Sequence, residues 1–363
     1  MNDNRESRSL ANDVRFNIDK KINFGKNRNE IDFYNFGVEI TNSLEPSLYN
    51  SISCASSRLF IKINDIKTFV YPYDSIQASC TDFEDSCVIR ISSAAIDKLS
   101  YDEIKFVIGH EIGHYLLDHS SFEIDKKPEL MMISKAREIS CDRLGLVACN
   151  SYENAISSII KTQSGLTKID LNISDYLDTS ISNIQKSSNK FNYSSHPSLP
   201  LRAKSLQLAK NYLLNHFPDY SSNIAFKEKS QIDEKINNDL DKYENKDLID
   251  HISETKKNNL FWLWVCLSIN GSKLEKNNSS KIKEKFGHKL FEKFKNNFHE
   301  LKQNEVKKFV ENKLNESLIE LNNNIPYSFN SYINGQINTA RNKICNPQID
   351  QIIHKIKLSL ASL

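Results

Sequence analysis

The chain of 363 residues lacks several features that would assign a class at once. It has no run approaching the ~18–20 consecutive apolar residues that a membrane-spanning helix needs. Its longest apolar run, Leu260 to Ile269, reads as a buried helix. The opening residues, Met1-Asn2-Asp3-Asn4-Arg5-Glu6-Ser7-Arg8, hold no apolar core of an export signal. The seven cysteines are scattered and odd in number, with no C-x-x-C pair. That argues against a disulfide framework and fits reduced thiols in the cytoplasm. Net charge is also lacking: 48 basic against 46 acidic side chains leave +2. Lysines exceed acids over residues 273–313, but a nucleic-acid site calls for arginines and clustered surface aromatics, so no nucleic-acid partner is expected.

What is there concentrates in Val107-Ile108-Gly109-His110-Glu111-Ile112-Gly113-His114-Tyr115. Residues four apart lie one turn above each other on a helix, so His110 and His114 share a face. Two imidazoles so stacked grip one zinc ion, and Glu111 then stands beside the open coordination position. The helix itself is legible. Ser100-Tyr101-Asp102-Glu103 is a capping box, and Asp102 and Glu103 suit the positive end of the helix dipole. Ile104, Ile108, Ile112 and Leu116 then recur at helical spacing, predicting a buried helix from about Tyr101 to His119. Gly109 and Gly113 each cost about 1 kcal/mol of helix propensity, which predicts close approach by something bulky.

A second helix is predicted from about Glu129 to Ala148. Glu138 and Asp142 lie one turn apart on it, beside a strip of small residues, Cys141, Gly145 and Ala148, suited to tight helix packing. A catalytic zinc takes three protein ligands and keeps one position for water. Glu138 is the candidate third ligand, and Asp142 the candidate acceptor that fixes the tautomer of a ligand imidazole. The alternative is a solvated face shared with Arg137 and Arg143. His119 is a rival ligand, but at five residues past His114 it reads as a helix-end histidine. His196-Pro197, at the end of a Ser/Asn-rich stretch from Ser174 to Ser195, is either a loop histidine or one that reaches a cleft. Ser198 is a candidate cap for a helix starting near Pro200.

The chain order is α+β. Strands are expected at Arg58–Ile63, Lys67–Tyr71 and Cys87–Ile91, with an acidic loop at Thr81–Asp85, and short helices at Ser93–Leu99 and Asn154–Gln163. Four segments follow: a polar N-terminal segment 1–30, a catalytic domain 31–217, a charged and partly helical linker 218–257, and an all-α domain 258–363. In the last, Phe286, Leu290, Phe294, Phe298 and Leu301 predict one amphipathic helix, with further helices at about Glu305–Asn322 and Ile349–Ala361.

His110-Glu111-Ile112-Gly113-His114, then Glu138-Ile139-Ser140-Cys141-Asp142, then His196-Pro197 with Arg202, resemble the zinc metallopeptidases of the gluzincin group. The family is that of the CaaX prenyl endopeptidases, the HtpX membrane proteases and the Oma-type peptidases. The likeness covers roughly residues 50–215. It implies a zincin-like domain with a small sheet over the active-site helix. It also implies one zinc ion on His110, His114 and Glu138, with Glu111 as catalytic base and Asp142 supporting a ligand. His196 and Arg202 resemble the cleft residues that steady substrate or transition state.

Many relatives carry membrane helices or an export signal; this chain shows neither, which suggests a soluble cytoplasmic member. The expected activity is hydrolysis of peptide bonds in a protein or peptide substrate, with Cys87–Ile91 as a candidate cleft edge for β-addition. The short interval from His114 to Glu138 is similar to that of cytosolic peptidases that cleave phage-type repressors, the runner-up. A non-catalytic zinc-stabilised interaction protein is the other alternative, favoured if a protein ligand such as His119 closed the fourth position. The helical C-terminal domain is a possible partner surface.

Overall fold

The computed structural model describes residues 37–83, 86–119, 127–167, 172, 175–176, 179–180, 194, 196–216, 223–270, 273–274, 276–299 and 301–360. The 1–30 segment, most of the Ser174–Ser195 stretch and residues 84–85 of the acidic loop lie outside it. By contacts the chain divides into two compact units, Met1–Ile124 with Met132–Lys246, and Asp125–Met131 with Asp247–Leu363. All seven cysteines are free thiols.

The first unit is mostly helical around a small mixed sheet. After strand β1 (Val38–Glu39) comes helix α1 (Pro46–Arg58), started by Pro46 in the first turn. Its apolar residues Leu48, Ile52 and Ala55 are buried at helical spacing. No strand forms at Arg58–Ile63. Helix α1 ends there instead, in a Schellman closure: Ile61 N–H reaches Ser56 O, Phe60 N–H reaches Ser57 O, and Phe60 takes a left-handed φ of 60°. The apolar run that looked like a strand is a helix stop, with Leu59 buried as its anchor.

Strands β2 (Ile66–Tyr71), β3 (Ala78–Phe83) and β4 (Ser86–Ser92) complete the sheet in the order β1-β2-β4-β3. β4 runs parallel to β2, with Thr68 opposite Ile89, and antiparallel to β3, with Cys80 opposite Ile89. The expected acidic loop is therefore strand as far as Phe83, because its backbone pairs with β4 whatever its side chains carry. The expected cleft edge is corrected too. Cys87–Ile91 is a central strand with both sides paired, which suits its run of buried Cys87, Val88, Ile89 and Ile91. Among the described residues β3 is the sheet edge nearer the next helices.

Helix α2 (Ser93–Lys98) is capped by the Ser92 hydroxyl and leads into α3 (Tyr101–Leu116). Then come α4 (Pro128–Cys149), α5 (Tyr152–Ser164), α6 (Leu199–His216) and α7 (Asn223–Tyr243). Ile104, Ile108, Ile112 and Leu116 of α3 join Ile89, Ile91, Leu144, Ile156 and Leu206 in one core. The Ser198 hydroxyl is buried without a hydrogen bond and does not cap α6. Its carbonyl takes the first helical bonds, from Leu201 and Arg202.

The second unit is mostly helical, with a two-stranded pairing of Ile269–Asn270 and Lys273–Leu274: α8 (Lys246–Ser268), α9 (Lys276–Phe286), α10 (His288–His299), α11 (Gln303–Asn324), α12 (Phe329–Arg341) and α13 (Ile349–Leu360). Phe261, Trp264, Phe286 and Phe294 pack edge to face at its centre. The amphipathic helix expected from Phe286 forms as α10 through Leu290, Phe294 and Phe298, while Gly287 at φ 90° leaves Phe286 at the end of α9. Glycine alone takes that conformation without strain. No helix among the described residues is long and apolar enough to cross a membrane.

Candidate metal centre

The site begins with how α3 is held. Ser100 and Glu103 form the capping box: the Ser100 hydroxyl accepts from Glu103 N–H, and Glu103 Oε2 accepts from Ser100 N–H at 2.7 Å. Glu103 also accepts from Lys161 Nζ at 2.9 Å and from the Ser157 hydroxyl, so α5 clamps the start of α3. Burial works against the Glu103 charge, yet these donors together hold its carboxyl below the usual range.

α3 and α4 then cross in backbone contact. A Cβ on Gly109 would meet Ala148 Cβ at 2.3 Å and Gly145 Cα at 3.1 Å, and one on Gly113 would meet Cys141 Cα at 3.1 Å. Gly145 has the reciprocal constraint, with a Cβ there only 2.8 Å from the Phe106 carbonyl. The expected bulky neighbour is thus the small-residue strip of α4 itself. The missing side chains draw the axes together and set Glu138 and Asp142 against the histidine face of α3.

Three donor groups converge at the crossing. His110 Nε2 is 3.2 Å from His114 Nε2, and the Glu138 carboxylate oxygens lie 3.4 Å from the first and 3.6 Å from the second. Ligands about 2.0–2.1 Å from a tetrahedral zinc stand about 3.3 Å from one another. Glu138 Oε2 is buried and accepts no hydrogen bond, an orphan in a place where a bare carboxylate oxygen is costly. Two imidazoles and one carboxylate, with an oxygen of that carboxylate orphaned, fit a zinc ion. The His110–His114–Glu138 group is accordingly compatible with zinc binding.

The chain is similar to peptidase family M48 over residues 67–126. No curated protein and no solved structure matches it. The matched segment runs from β2 through the His110–His114 helix and stops short of Glu138. With the donor cluster it supports a zinc metallopeptidase of that family.

The remaining residues singled out from the sequence gather around this cluster. His110 Nδ1 is 3.0 Å from Asp142 Oδ1, and Asp142 accepts both Arg202 Nε at 2.8 Å and Arg202 Nη2 at 2.6 Å. Arg202 is buried against Asp142, a fully buried carboxylate, and reaches the cluster through it. Burial pulls His110 down, but the Asp142 carboxylate on its Nδ1 and the Glu138 charge beside its Nε2 outweigh that and carry the imidazole up to about 10. Cation binding at such a ring is coupled to proton release. Burial lowers His114 to about 4, with the neighbouring His110 charge adding to it. Burial pushes Glu111 up to about 7 against the pull of the His110 charge, and the Cys80 backbone N–H donates to its carboxylate. Cys80 belongs to edge strand β3, so that edge lies beside Glu111.

His196 is half exposed, with Nε2 at 3.4 Å from Glu138 Oε2. Its loop is tied on both sides. The Ser194 hydroxyl donates to the His196 carbonyl at 2.9 Å, and Ser198 N–H donates to Glu244 Oε1 at 3.1 Å. Glu244 is met by Lys135, a fully buried lysine of α4 whose Nζ donates to the Glu244 carbonyl at 3.1 Å. Sequence reading missed Lys135, Glu244 and the Cys80 amide, because no local pattern joins positions so far apart. His119, weighed from the sequence as a rival ligand and read as a helix-end histidine, lies with its Nδ1 3.1 Å from His114 Nδ1.

Proposed function

We propose that the chain is a zinc-dependent endopeptidase that hydrolyses peptide bonds of a protein substrate through a zincin-like site. The observation that carries this reading is the donor triangle with its orphaned Glu138 oxygen, standing next to a second buried carboxylate, Glu111, that feels the His110 charge. One zinc ion per chain would be held by His110, His114 and Glu138. Zinc held there supplies Lewis acidity, which brings the pKa of nearby water down toward about 7.

The protein groups do the rest. Glu111 takes the proton of the attacking water and hands it to the leaving amine nitrogen. His196, exposed beside Glu138, donates a hydrogen bond to the oxyanion as the carbonyl becomes tetrahedral. Asp142 holds the His110 ring with its Nδ1–H fixed, and Arg202 holds Asp142, so Arg202 is a positioning residue. An extended substrate segment adds as a strand along β3, which among the described residues is the sheet edge beside Glu111. The seven free thiols support a cytoplasmic setting.

A non-catalytic zinc protein needs a ligand that closes the fourth position. His119 was the nominated one, but its ring meets the Nδ1 side of His114, away from the donor triangle. A repressor-cleaving role stays within the same chemistry and differs only in substrate. The test is Glu111→Gln: it should keep stoichiometric zinc by metal analysis and lose all peptide hydrolysis. Residual hydrolysis in a clean preparation of that variant overturns the mechanism.

A further inference from the structure

Behind His114, on the side away from Glu138, lies another set of donors. His119 Nδ1 is 3.1 Å from His114 Nδ1 and 3.5 Å from Cys141 Sγ. The three donor atoms all lie within 4.8 Å of one another. A tetrahedral zinc with Zn–N about 2.0–2.1 Å and Zn–S about 2.3 Å sets nitrogen ligands about 3.3 Å apart and nitrogen and sulfur about 3.6 Å apart. The two short separations come within about 0.2 Å of those edges, the tolerance such a site allows.

The arrangement is built rather than incidental. α3 ends at Leu116, and a continued helix would carry His119 around to another face. Asp118 instead takes a left-handed φ of 54°, which turns the chain and returns the His119 ring to His114. Aspartate is among the few residues that tolerate this conformation. Cys141 reaches the same point because Gly113 has no side chain: a Cβ there would lie 3.2 Å from Cys141 Sγ. Hydrogen bonding alone leaves a surplus. With its Nε2 turned toward the first cluster, His114 carries a proton on Nδ1, and the Cys141 thiol carries another. His119 Nδ1 offers a single lone pair between them. A cation uses all three donors.

We propose that His114, His119 and Cys141 form a second site, for zinc or a similarly thiophilic cation, that shares the His114 imidazole with the first cluster. The Cys141 sulfur and one nitrogen from each ring ligate the ion. Ligation displaces the thiol proton to solvent; the His114 proton moves to Nε2 while the first site is empty and leaves to solvent when both sites are filled. With both sites filled, His114 bridges them as an imidazolate. The two sites are therefore energetically linked through one ring, and loading the second changes the affinity of the first. The site does not depend on the peptidase reading, only on His114.

The test is a cobalt(II) titration of the metal-stripped full-length protein. Visible ligand-field absorption reports bound cobalt, and a near-ultraviolet sulfur-to-cobalt charge-transfer band reports a thiolate ligand. The expected result is two bound equivalents, one of them with the charge-transfer band. Cys141→Ser and, independently, His119→Gln should each remove the band and one equivalent while leaving the other. Saturation at one equivalent with no charge-transfer band overturns the proposal and leaves the trio as a hydrogen-bonded support for His114. So does a band that survives Cys141→Ser, since another thiol must then be the ligand. Glu138→Ala separates the two sites. It should remove the equivalent that lacks the band, and if it removes none, the first cluster fails while the second stands.

Discussion

Replacing Gly109 by alanine should destabilise the protein and release its metal, although alanine is the better helix former. In an isolated helix the exchange is favourable by about 1 kcal/mol. Here the new Cβ would lie 2.3 Å from Ala148 Cβ, 3.1 Å from Gly145 Cα and 3.2 Å from the Leu144 carbonyl oxygen. None of these atoms can rotate away, since each belongs to backbone or is fixed to it. Ordinary contact needs about 3.5–4.0 Å between carbons, so α3 and α4 must part by roughly 1 Å. Overpacking of this kind costs about 1–3 kcal/mol, which at its upper end outweighs the propensity gain and leaves a net loss of up to about 2 kcal/mol. The metal effect should be larger. His110 and His114 ride on α3 and Glu138 on α4, and a ligand sphere tolerates only about 0.2 Å. Urea unfolding and metal analysis of Gly109→Ala test both parts. Adding Ala148→Gly removes the worst contact and should restore zinc content, though the new glycine costs about 1 kcal/mol of helix propensity. A Gly109→Ala protein with wild-type midpoint and full zinc would refute the close crossing as the device that assembles the site.

Other outcomes follow from the same geometry. Arg202→Met strips two donors from the fully buried Asp142 and should cost about 3–5 kcal/mol in denaturant unfolding, with zinc affinity down about 10–100-fold as His110 loosens. Wild-type stability would contradict the Asp142–Arg202 link. His196→Ala should lower kcat about 10²–10³-fold with zinc content and KM little changed, whereas a pure KM effect would assign His196 to substrate binding instead. For Glu103 the folded carboxyl titrates below its unfolded value of about 4.3, so its stabilisation is complete above that pH and is lost as pH falls through the lower folded value. The stability gap between wild type and Glu103→Gln, followed by urea midpoints against pH, should therefore close on acidification. A gap that widens as pH falls would reverse the sign of the reasoning.

The parts of the fold that were readable ahead of the structure are the local ones. The capping box and four-residue repeat of α3 predicted its start at Tyr101, because each involves residues within one turn. The α4 motif was legible for the same reason, down to its strip of small residues. Failures came where pairing partners are distant. Ala78–Phe83 carries polar side chains and becomes a strand because β4 offers it a ladder. Arg58–Ile63 has strand composition, yet the buried run Leu48, Ile52, Ala55 and Leu59 makes it a helix end, a spacing that was there to be counted. Gly287 moved the start of one expected helix past Phe286 through its backbone alone.

For the site, the sequence by itself determined that His110 and His114 share a helix face and that Glu111 stands next to them, since 3.6 residues per turn leaves no other outcome once the helix forms. It could nominate Glu138 but not deliver it. Tertiary structure decided that, by letting two helices touch at glycine so that a carboxylate from one closes on imidazoles from the other. Only the folded chain could turn His119 back at Asp118 to meet Cys141, because side chains twenty-two positions apart share no local geometry until the helices that carry them have packed.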